Sequence, residues 1–341
     1  MSAPGPEVSA NASGSRGWKR RGAGLISLLA SGALLAALYR TLDVRLVGRA
    51  IVQSDLPWLA LALGMIIPTT LLRALRFYLV APPGAMPGPW EAVRLTLVAS
   101  AVNVFLPVKG GDLVKSYFVA RRSDTRAGVS ISIVVYERLC DMGSVIAWCL
   151  VGFAIGRPQV PGRLLPFWIG LGVLGSVCAL LIISEPVAAL LPALLTRVFP
   201  RRAGIRDLAS GWPELLRLMR GRRRRVIPLS LFIWFLQLTQ MWMFTRALTM
   251  EVPATVAMSL SALALMAGQL PFTFAGFGAR DVALVVLLAP YAPAESAAAL
   301  GVLASTRNLL PPLAGLPLMR GYVASALAHV RARDGAAAGA A

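Results

Sequence analysis

An apolar stretch of this chain is interrupted where a membrane-spanning helix should still continue. The run opens near Leu95 and ends in residues 103 to 112, which read NVFLPVKGGD. Pro107 removes a backbone donor, and the glycine pair after it breaks helical continuity. Lipid tolerates irregular backbone only where protein or a water-filled cavity surrounds it. The stretch therefore predicts a re-entrant or broken helix that lines a cavity.

A second stretch, residues 269 to 281, has the same order of features and reads QLPFTFAGFGARD. Leu-Pro comes first, then glycines, then a carboxylate. Asp112 lies 26 residues before Arg138, inside an apolar segment. Asp281 lies 26 residues before Arg307, again inside an apolar segment. Interrupted hydrophobic segments at corresponding positions of two repeats point to a transporter's binding site. We therefore predict an internal repeat with two broken helices.

The composition predicts an all-α, polytopic membrane protein. Hydrophobic residues make up 57% of the 341 residues and charged residues only 14%, which is typical of a helical bundle in a membrane. The net charge of +19 is concentrated between apolar runs, a positive-inside pattern that indicates no nucleic-acid partner. The cysteines lie in apolar segments and His329 is the only histidine. We expect no metal site, no histidine acid/base pair and no cofactor.

The charge pattern divides the chain into five regions. They are a basic tail at 1–22, a first membrane repeat at 23–184, an arginine-rich connector at 185–227, a second membrane repeat at 228–320 and a tail at 321–341. Arg73 and Arg76 are interpreted as the cytoplasmic end of the second span. Both tails and the connector are expected on the cytoplasmic side of a plasma or inner membrane. The RRRR run of the connector either attracts anionic headgroups or serves only to set topology.

Two topologies satisfy these charges. In one, residues 254 to 271 and 282 to 294 are both full spans, which gives eight spans and one re-entrant element. In the other, residues 254 to 281 re-enter the membrane, which gives six spans and two re-entrant elements of opposite orientation. The second topology makes the repeats inverted, as in several transporter folds.

Ionisable residues inside a membrane are costly and mark a functional site by default. Arg138, Arg307 and Lys109 offer a cationic site, and a guanidinium is a natural bidentate partner of a phosphate. The alternative is that the buried charges only neutralise each other and fix the packing. The candidate substrate-binding residues are Asn103, Pro107, Lys109, Gly110, Gly111, Asp112, Glu137, Arg138, Asp141, Gln269, Pro271, Gly276, Gly278, Arg280, Asp281, Arg307 and Asn308.

The order of these motifs resembles a known family. The chain has Asn-x-x-Leu-Pro-x-x-x-Gly-Asp, then Glu-Arg-x-x-Asp at 137 to 141, then Leu-Pro with Gly-x-Gly-x-x-Asp, then Arg307. This pattern is similar to that of the lysylphosphatidylglycerol synthase transmembrane-region family, also described as flippase-like. The resemblance extends from the first span to the last. It implies a polytopic domain associated with lipid translocation, in some members of aminoacylated phosphatidylglycerol.

The chain departs from the family pattern at several positions. Asp112 and Asp281 stand where the family usually has glutamate, and Lys109 stands near a position that is often arginine. The soluble aminoacyl-transferring domain of full-length synthases has no counterpart after Met319. We therefore do not expect this chain alone to synthesise lysylphosphatidylglycerol.

The sequence thus favours a flippase or transporter that moves a phospholipid or a lipid-linked phosphate between leaflets. One alternative is a membrane-embedded transferase that uses Asp112, Glu137 or Asp141 as its base. Another is an accessory subunit in envelope-lipid or glycolipid synthesis. The expected partners are anionic membrane lipids and an envelope-lipid synthase or glycosyltransferase.

Overall fold

The computed structural model describes residues 29–105, 111–122, 126–156, 165–200, 203–269 and 277–338. Within these ranges the chain is helical throughout, with no strand, which confirms the all-α prediction. The helices are α1 (29–41), α2 (Val44–Val52), α3 (Leu56–Gly64), α4 (Ile66–Val80), α5 (Pro89–Phe105), α6 (Gly111–Arg122), α7 (Ala127–Gly156), α8 (Leu165–Ile183), α9 (Glu185–Val198), α10 (Ala203–Met219), α11 (Arg223–Ala247), α12 (Ala254–Ala267), α13 (Ala279–Leu288) and α14 (Ala294–Ala338).

Several of these helices are long and apolar enough to cross a membrane. In the described ranges there are three, namely Leu56–Val80, Gly128–Gly156 and Arg223–Ala247. A fourth is added if α8 and α9, which meet at a bend of 109°, form one broken span. These helices are consistent with a multi-pass membrane protein. The predicted count of six to eight spans and the inverted arrangement of the repeats remain predictions.

The first interrupted stretch separates two helices that pack against each other. Gly111 at the start of α6 lies against the backbone of α5, where an added Cβ would overlap the carbonyl oxygen of Ala99. Its N–H donates a hydrogen bond of 2.8 Å to the side-chain oxygen of Asn103 on α5. Asn103 and Gly111 therefore hold this helix pair together. Pro107, Lys109 and Gly110 lie outside the described residues.

The second interrupted stretch separates α12 from α13, and these helices also pack against each other. Gly278 precedes α13 with φ of 85°, a left-handed conformation that side chains other than glycine rarely adopt. Its N–H donates to the Asp281 carboxylate at 3.0 Å, which caps the first turn of α13. Pro271 and Gly276 lie outside the described residues. Among the described residues, Gly278 and Asp281 therefore form the N-terminal cap of α13.

The arginine-rich connector is helical and packs on the membrane helices. α10 crosses the start of α7 so closely that a Cβ added at Gly211 would overlap the backbone of Gly128. Trp212 is fully buried, and its indole N–H donates to the Ala188 carbonyl of α9 at 2.7 Å. The sequence analysis did not predict this packing. In the region predicted as a second tail, α14 continues to Ala338.

The contact between Gly128 and Gly211 leads to a stability prediction. We expect Gly211→Leu to lower the free energy of unfolding by about 1 to 3 kcal/mol, because the new side chain must push two helix backbones apart. Gly204 lies on the same helix, and a Cβ added there meets no atom within 4 Å. Gly204→Leu is therefore the matched control and should retain the wild-type stability. The measurement is the thermal unfolding midpoint in detergent, and equal midpoints would contradict the close contact.

The last helix packs against the first broken element. An added Cβ at Gly315 of α14 would overlap the carbonyl oxygen of Leu97 on α5. Further along α14, the Tyr322 hydroxyl donates to the Glu91 carboxylate at 2.5 Å. The Tyr322 ring meets the Phe118 ring of α6 edge-to-face, with centroids 5.1 Å apart. The end of the chain thus completes the packing of α5 and α6.

Two apolar clusters pack along α7. Ile133 belongs to the cluster that also includes residues of α4, α5 and α10, whereas Ile146 belongs to the cluster built with α11, α12 and α14. The charged stretch of α7 from Glu137 to Asp141 lies in the part of the helix where one cluster gives way to the other. The fold therefore places these charges between two apolar layers.

Candidate functional site

The charged residues of α7 meet an arginine from α4. The Arg76 Nη1 atom lies 2.7 Å from the Asp141 carboxylate, and its Nε atom lies 3.6 Å from the Glu137 carboxylate. Only 4% of Arg76 is exposed. Trp234 of α11 donates its indole N–H to Asp141 at 3.2 Å. Three membrane helices are therefore joined at this point by buried polar contacts.

Two residues of α6 extend these contacts. The Arg138 guanidinium forms an ion pair with the Asp112 carboxylate and lies 3.7 Å from Asp141. The Lys115 ammonium lies 3.9 Å from Glu137 and 4.0 Å from Asp112. Each carboxylate is thus shared by two cations, and each cation by two carboxylates.

These contacts close into a ring of alternating charge, which we call the charge ring. In order, its members are Arg76, Asp141, Arg138, Asp112, Lys115 and Glu137. Three cations meet three carboxylates, so the ring as a whole is neutral. Buried charges are tolerated when they are paired in this way. The ring therefore fits the alternative in which buried charges fix the packing of the helices.

One member of the charge ring is far more accessible than the others. The Arg138 side chain keeps 40% of its surface accessible, whereas the Arg76 side chain keeps 5% and that of Asp141 12%. Arg138 is therefore the member of the ring that can best contact groups from outside the protein. We call the space that its side chain faces the cleft.

The second broken element holds a charge pair of its own. Arg280 donates to the Asp281 carboxylate from Nε at 3.0 Å and from Nη2 at 2.7 Å. Nη2 also donates to the Gly301 carbonyl at 3.0 Å and to the Ser305 hydroxyl at 2.8 Å, both on α14. Only 2% of Arg280 and 5% of Asp281 are exposed. This pair is satisfied without any ligand.

The two Asp and Arg positions of equal spacing differ in their contacts. Asp112 forms an ion pair with Arg138, 26 residues later in the chain. Within the described residues, Asp281 instead pairs with its neighbour Arg280 and forms no ion pair with Arg307. Equal spacing in the sequence thus does not produce equal pairing in the structure.

Arg307 is a guanidinium without a carboxylate. It lies half-buried on α14, and its Nη1 atom is buried without a hydrogen-bond partner. Among the described residues, the charged side chains close enough to interact with it are those of Arg73 and Arg280, both cationic. Arg73 of α4 is exposed, and it donates to the Gln237 side-chain oxygen at 2.7 Å. In the part of the chain that the structure describes, neither Arg73 nor Arg307 forms an ion pair.

Further candidate and polar groups lack partners among the described residues. The Gln237 Nε2 atom is buried without a hydrogen-bond partner, and so is that of Gln269, which follows α12. Asn308 is half-buried beside Arg307 on α14. Within the described ranges no three metal-ligating side chains converge. The unpartnered nitrogens of Arg307, Gln237 and Gln269 are hydrogen-bond donors, which is what an anion requires.

The structure adds three cations to the predicted site. Arg73 and Arg76 were interpreted as a mark of the cytoplasmic end of a span, but Arg76 lies in the charge ring and Arg73 beside Gln237. Lys115, which was not among the candidate residues, bridges Asp112 and Glu137. One signal in the sequence was available, because the apolar helix continues past both arginines to Val80.

The comparison with known families agrees with this architecture. A family model described as the lysylphosphatidylglycerol synthase TM region matches residues 24–315. The chain belongs to this family. The matched range includes both broken elements, the whole charge ring and Arg307, so the resemblance seen in the sequence is confirmed. Membership in the lysylphosphatidylglycerol synthase TM region family indicates a membrane protein tied to lipid metabolism or transport. No curated protein matches the chain significantly.

The arrangement separates two kinds of charge. Each carboxylate of the charge ring contacts cations. These three carboxylates are the ones considered as candidate bases of a transferase. Among the described residues Arg73 and Arg307 form no ion pair, although Asp141 and Asp112 lie close enough to Arg73 to attract it. Guanidinium groups with free donors are natural partners of phosphate and carboxylate groups.

Proposed function

We propose that the protein translocates an anionic phospholipid or a lipid-linked phosphate between membrane leaflets. The observation that carries this proposal is Arg307, a half-buried guanidinium that forms no ion pair among the described residues and whose buried Nη1 atom has no hydrogen-bond partner among them. Leaving a buried charge unpaired costs several kcal/mol in a folded protein. A cargo phosphate that enters the cleft supplies the missing negative charge.

The charge ring supports a cargo of negative rather than positive charge. A headgroup ammonium needs a free carboxylate, and Asp112, Glu137 and Asp141 each already hold two cations. A phosphate needs free donors, which Arg307 and Gln237 offer. We infer that the cleft selects a headgroup of net negative charge over an aminoacylated one.

The remaining parts of the proposal concern the setting of the protein. We propose a plasma or inner membrane location with both termini on the cytoplasmic side, in keeping with the positive-inside distribution of arginine. A cargo that carries a phosphate must be made by another enzyme. An envelope-lipid synthase or a glycosyltransferase is the class of partner that produces such a lipid.

Reconstitution into phosphatidylcholine vesicles tests the proposal directly. The probes are acyl-chain-labelled phosphatidylglycerol and acyl-chain-labelled phosphatidylcholine, and the readout is the fraction of label that a membrane-impermeant quencher reaches over time. We expect the protein to accelerate translocation of the anionic probe about tenfold or more over the zwitterionic one, because one charge-assisted hydrogen bond is worth about 1.5 to 3 kcal/mol.

The same vesicles provide the control and the contrary result. Unlabelled phosphatidylglycerol should compete with the anionic probe, whereas lysylphosphatidylglycerol should compete poorly because its headgroup carries additional positive charge. Protein-free vesicles set the background rate. Equal rates for the two probes, or stronger competition by lysylphosphatidylglycerol, would show that the cleft does not select a negative headgroup.

A further inference from the structure

A second basic cavity lies apart from the cleft, at the ends of two spans. It has a volume of about 510 Å³ and lies between the loop that follows α4 and the turn that joins α10 to α11. Its lining residues are Tyr78, Leu79, Ala81, Pro82, Pro83, Gly84, Met86, Gly221, Arg222 and Arg225. None of these residues is acidic. The cavity therefore carries two positive charges that its own wall does not balance.

The two arginines of this cavity differ in their contacts. The Arg222 Nη1 atom donates to the carbonyl oxygens of Leu79 at 3.1 Å and of Ala81 at 2.7 Å, so it fixes the opposite wall. Arg225 is exposed, and within the described chain no hydrogen bond or ion pair holds its side chain. One arginine thus shapes the cavity, while the other is free to bind a ligand.

The ends of two spans show at which depth of the membrane the cavity lies. Leu56–Val80 ends and Arg223–Ala247 begins at this site, so the cavity lies where two apolar spans reach the same membrane surface. Tyrosine and arginine are favoured at the level of the headgroups. Tyr78 and Met86 provide an apolar wall beside the two cations. Basic pockets between membrane helices at this depth bind anionic headgroups.

We propose that this cavity binds the phosphate of an anionic phospholipid from the leaflet at that surface. The phosphate sits against Arg225 and the positive charge of Arg222, and the glycerol backbone packs on Tyr78 and Met86. The proposal requires binding only and is independent of translocation through the cleft. A protein that fails to translocate lipid in vesicles can therefore still show this site.

Three variants distinguish lipid binding in the cavity from lipid binding to the basic surface around it. Arg225→Gln removes the free charge of the cavity, and Gly221→Leu fills its space at a position where an added Cβ meets no atom within 4 Å. Arg224→Gln is the matched control, because Arg224 is exposed on the same helical turn but does not line the cavity.

The measurement is native mass spectrometry of the purified protein in detergent, with phosphatidylglycerol as the probe and phosphatidylcholine as the zwitterionic reference. We expect Arg225→Gln to weaken phosphatidylglycerol binding about fivefold, as one surface arginine contributes about 1 kcal/mol. Gly221→Leu should abolish the preference for phosphatidylglycerol. Arg224→Gln should leave it unchanged. In a separate arm, inorganic phosphate is added to compete with the lipid.

Three results would overturn the proposal. Equal losses in Arg224→Gln and Arg225→Gln would assign the lipid to the general basic surface. Full binding in Gly221→Leu would place the lipid outside the cavity. Displacement of phosphatidylglycerol by inorganic phosphate at millimolar concentration, together with weak lipid preference, would identify the ligand as a free anion rather than a headgroup.

Discussion

Arg76→Met is expected to lower the free energy of unfolding by about 3 to 5 kcal/mol. Arg76 contacts both Asp141 and Glu137, and its side chain is only 5% accessible. Methionine fills a similar length but carries no charge, so both carboxylates lose a cation in a site of low polarity. Chemical or thermal unfolding in detergent measures the loss.

A neighbouring arginine provides the control for this result. Arg73 lies on the same helix and hydrogen-bonds only to Gln237 among the described residues. Arg73→Met should therefore cost much less stability. Adding Asp141→Asn to Arg76→Met should restore most of the loss, because the two remaining cations of the ring then face two carboxylates. If Arg76→Met proved as stable as Arg73→Met, the charge ring would not contribute to folding.

Arg307→Met is expected to slow lipid translocation and to raise stability, whereas Arg76→Met lowers stability. Translocation of the anionic probe should fall about tenfold or more, because the cargo phosphate loses a charge-assisted hydrogen bond worth about 1.5 to 3 kcal/mol. Stability should rise by about 1 kcal/mol or more, because a buried charge without a carboxylate is removed. Vesicle translocation and the unfolding midpoint are measured on the same preparation.

Two further variants sharpen the test of Arg307. Arg307→Lys keeps the charge but loses the planar fork, so its translocation rate should lie between those of the wild type and Arg307→Met. Arg320→Met removes an exposed arginine from the same helix and should change neither property. A loss of stability in Arg307→Met that matches its loss of translocation would assign Arg307 a structural role and remove the proposed phosphate site.

Local sequence signals predicted the interruptions of the fold well. A proline followed closely by glycines disfavours a helix in an apolar run, so the ends of α5 and α12 could be placed from the sequence. A proline alone was not sufficient, because α14 continues through Pro311, Pro312 and Pro317. The close packing of α10 on α7 could not be placed in this way. Its buried residues, such as Trp212 and Leu215, lie in a segment with arginines on both sides, and their partners on α7 are distant in the chain.

The candidate site was predicted in part, for a related physical reason. The sequence shows that Asp112, Arg138 and Asp141 are charges in apolar surroundings, and such charges need partners. It does not show which partner each one finds, because Arg76 meets Asp141 only through the packing of α4 on α7 and α11. Arginines near the end of a span normally face the water, and the apolar residues that follow Arg76 were the one local sign that Arg73 and Arg76 contact protein instead.

The position of α14 has a consequence for the biosynthesis of the protein. Glu91, Leu97 and Phe118 find their partners on α14, close to Gly315 and Tyr322. The chain between Phe118 and Tyr322 takes roughly 10 to 40 s to synthesise at about 5 to 20 residues per second. During that time α5 and α6 have been made, but α14 is not yet there to pack against them. The first broken element therefore completes its packing only after α14 has been made, and a ribosome that stops before α14 leaves this packing incomplete.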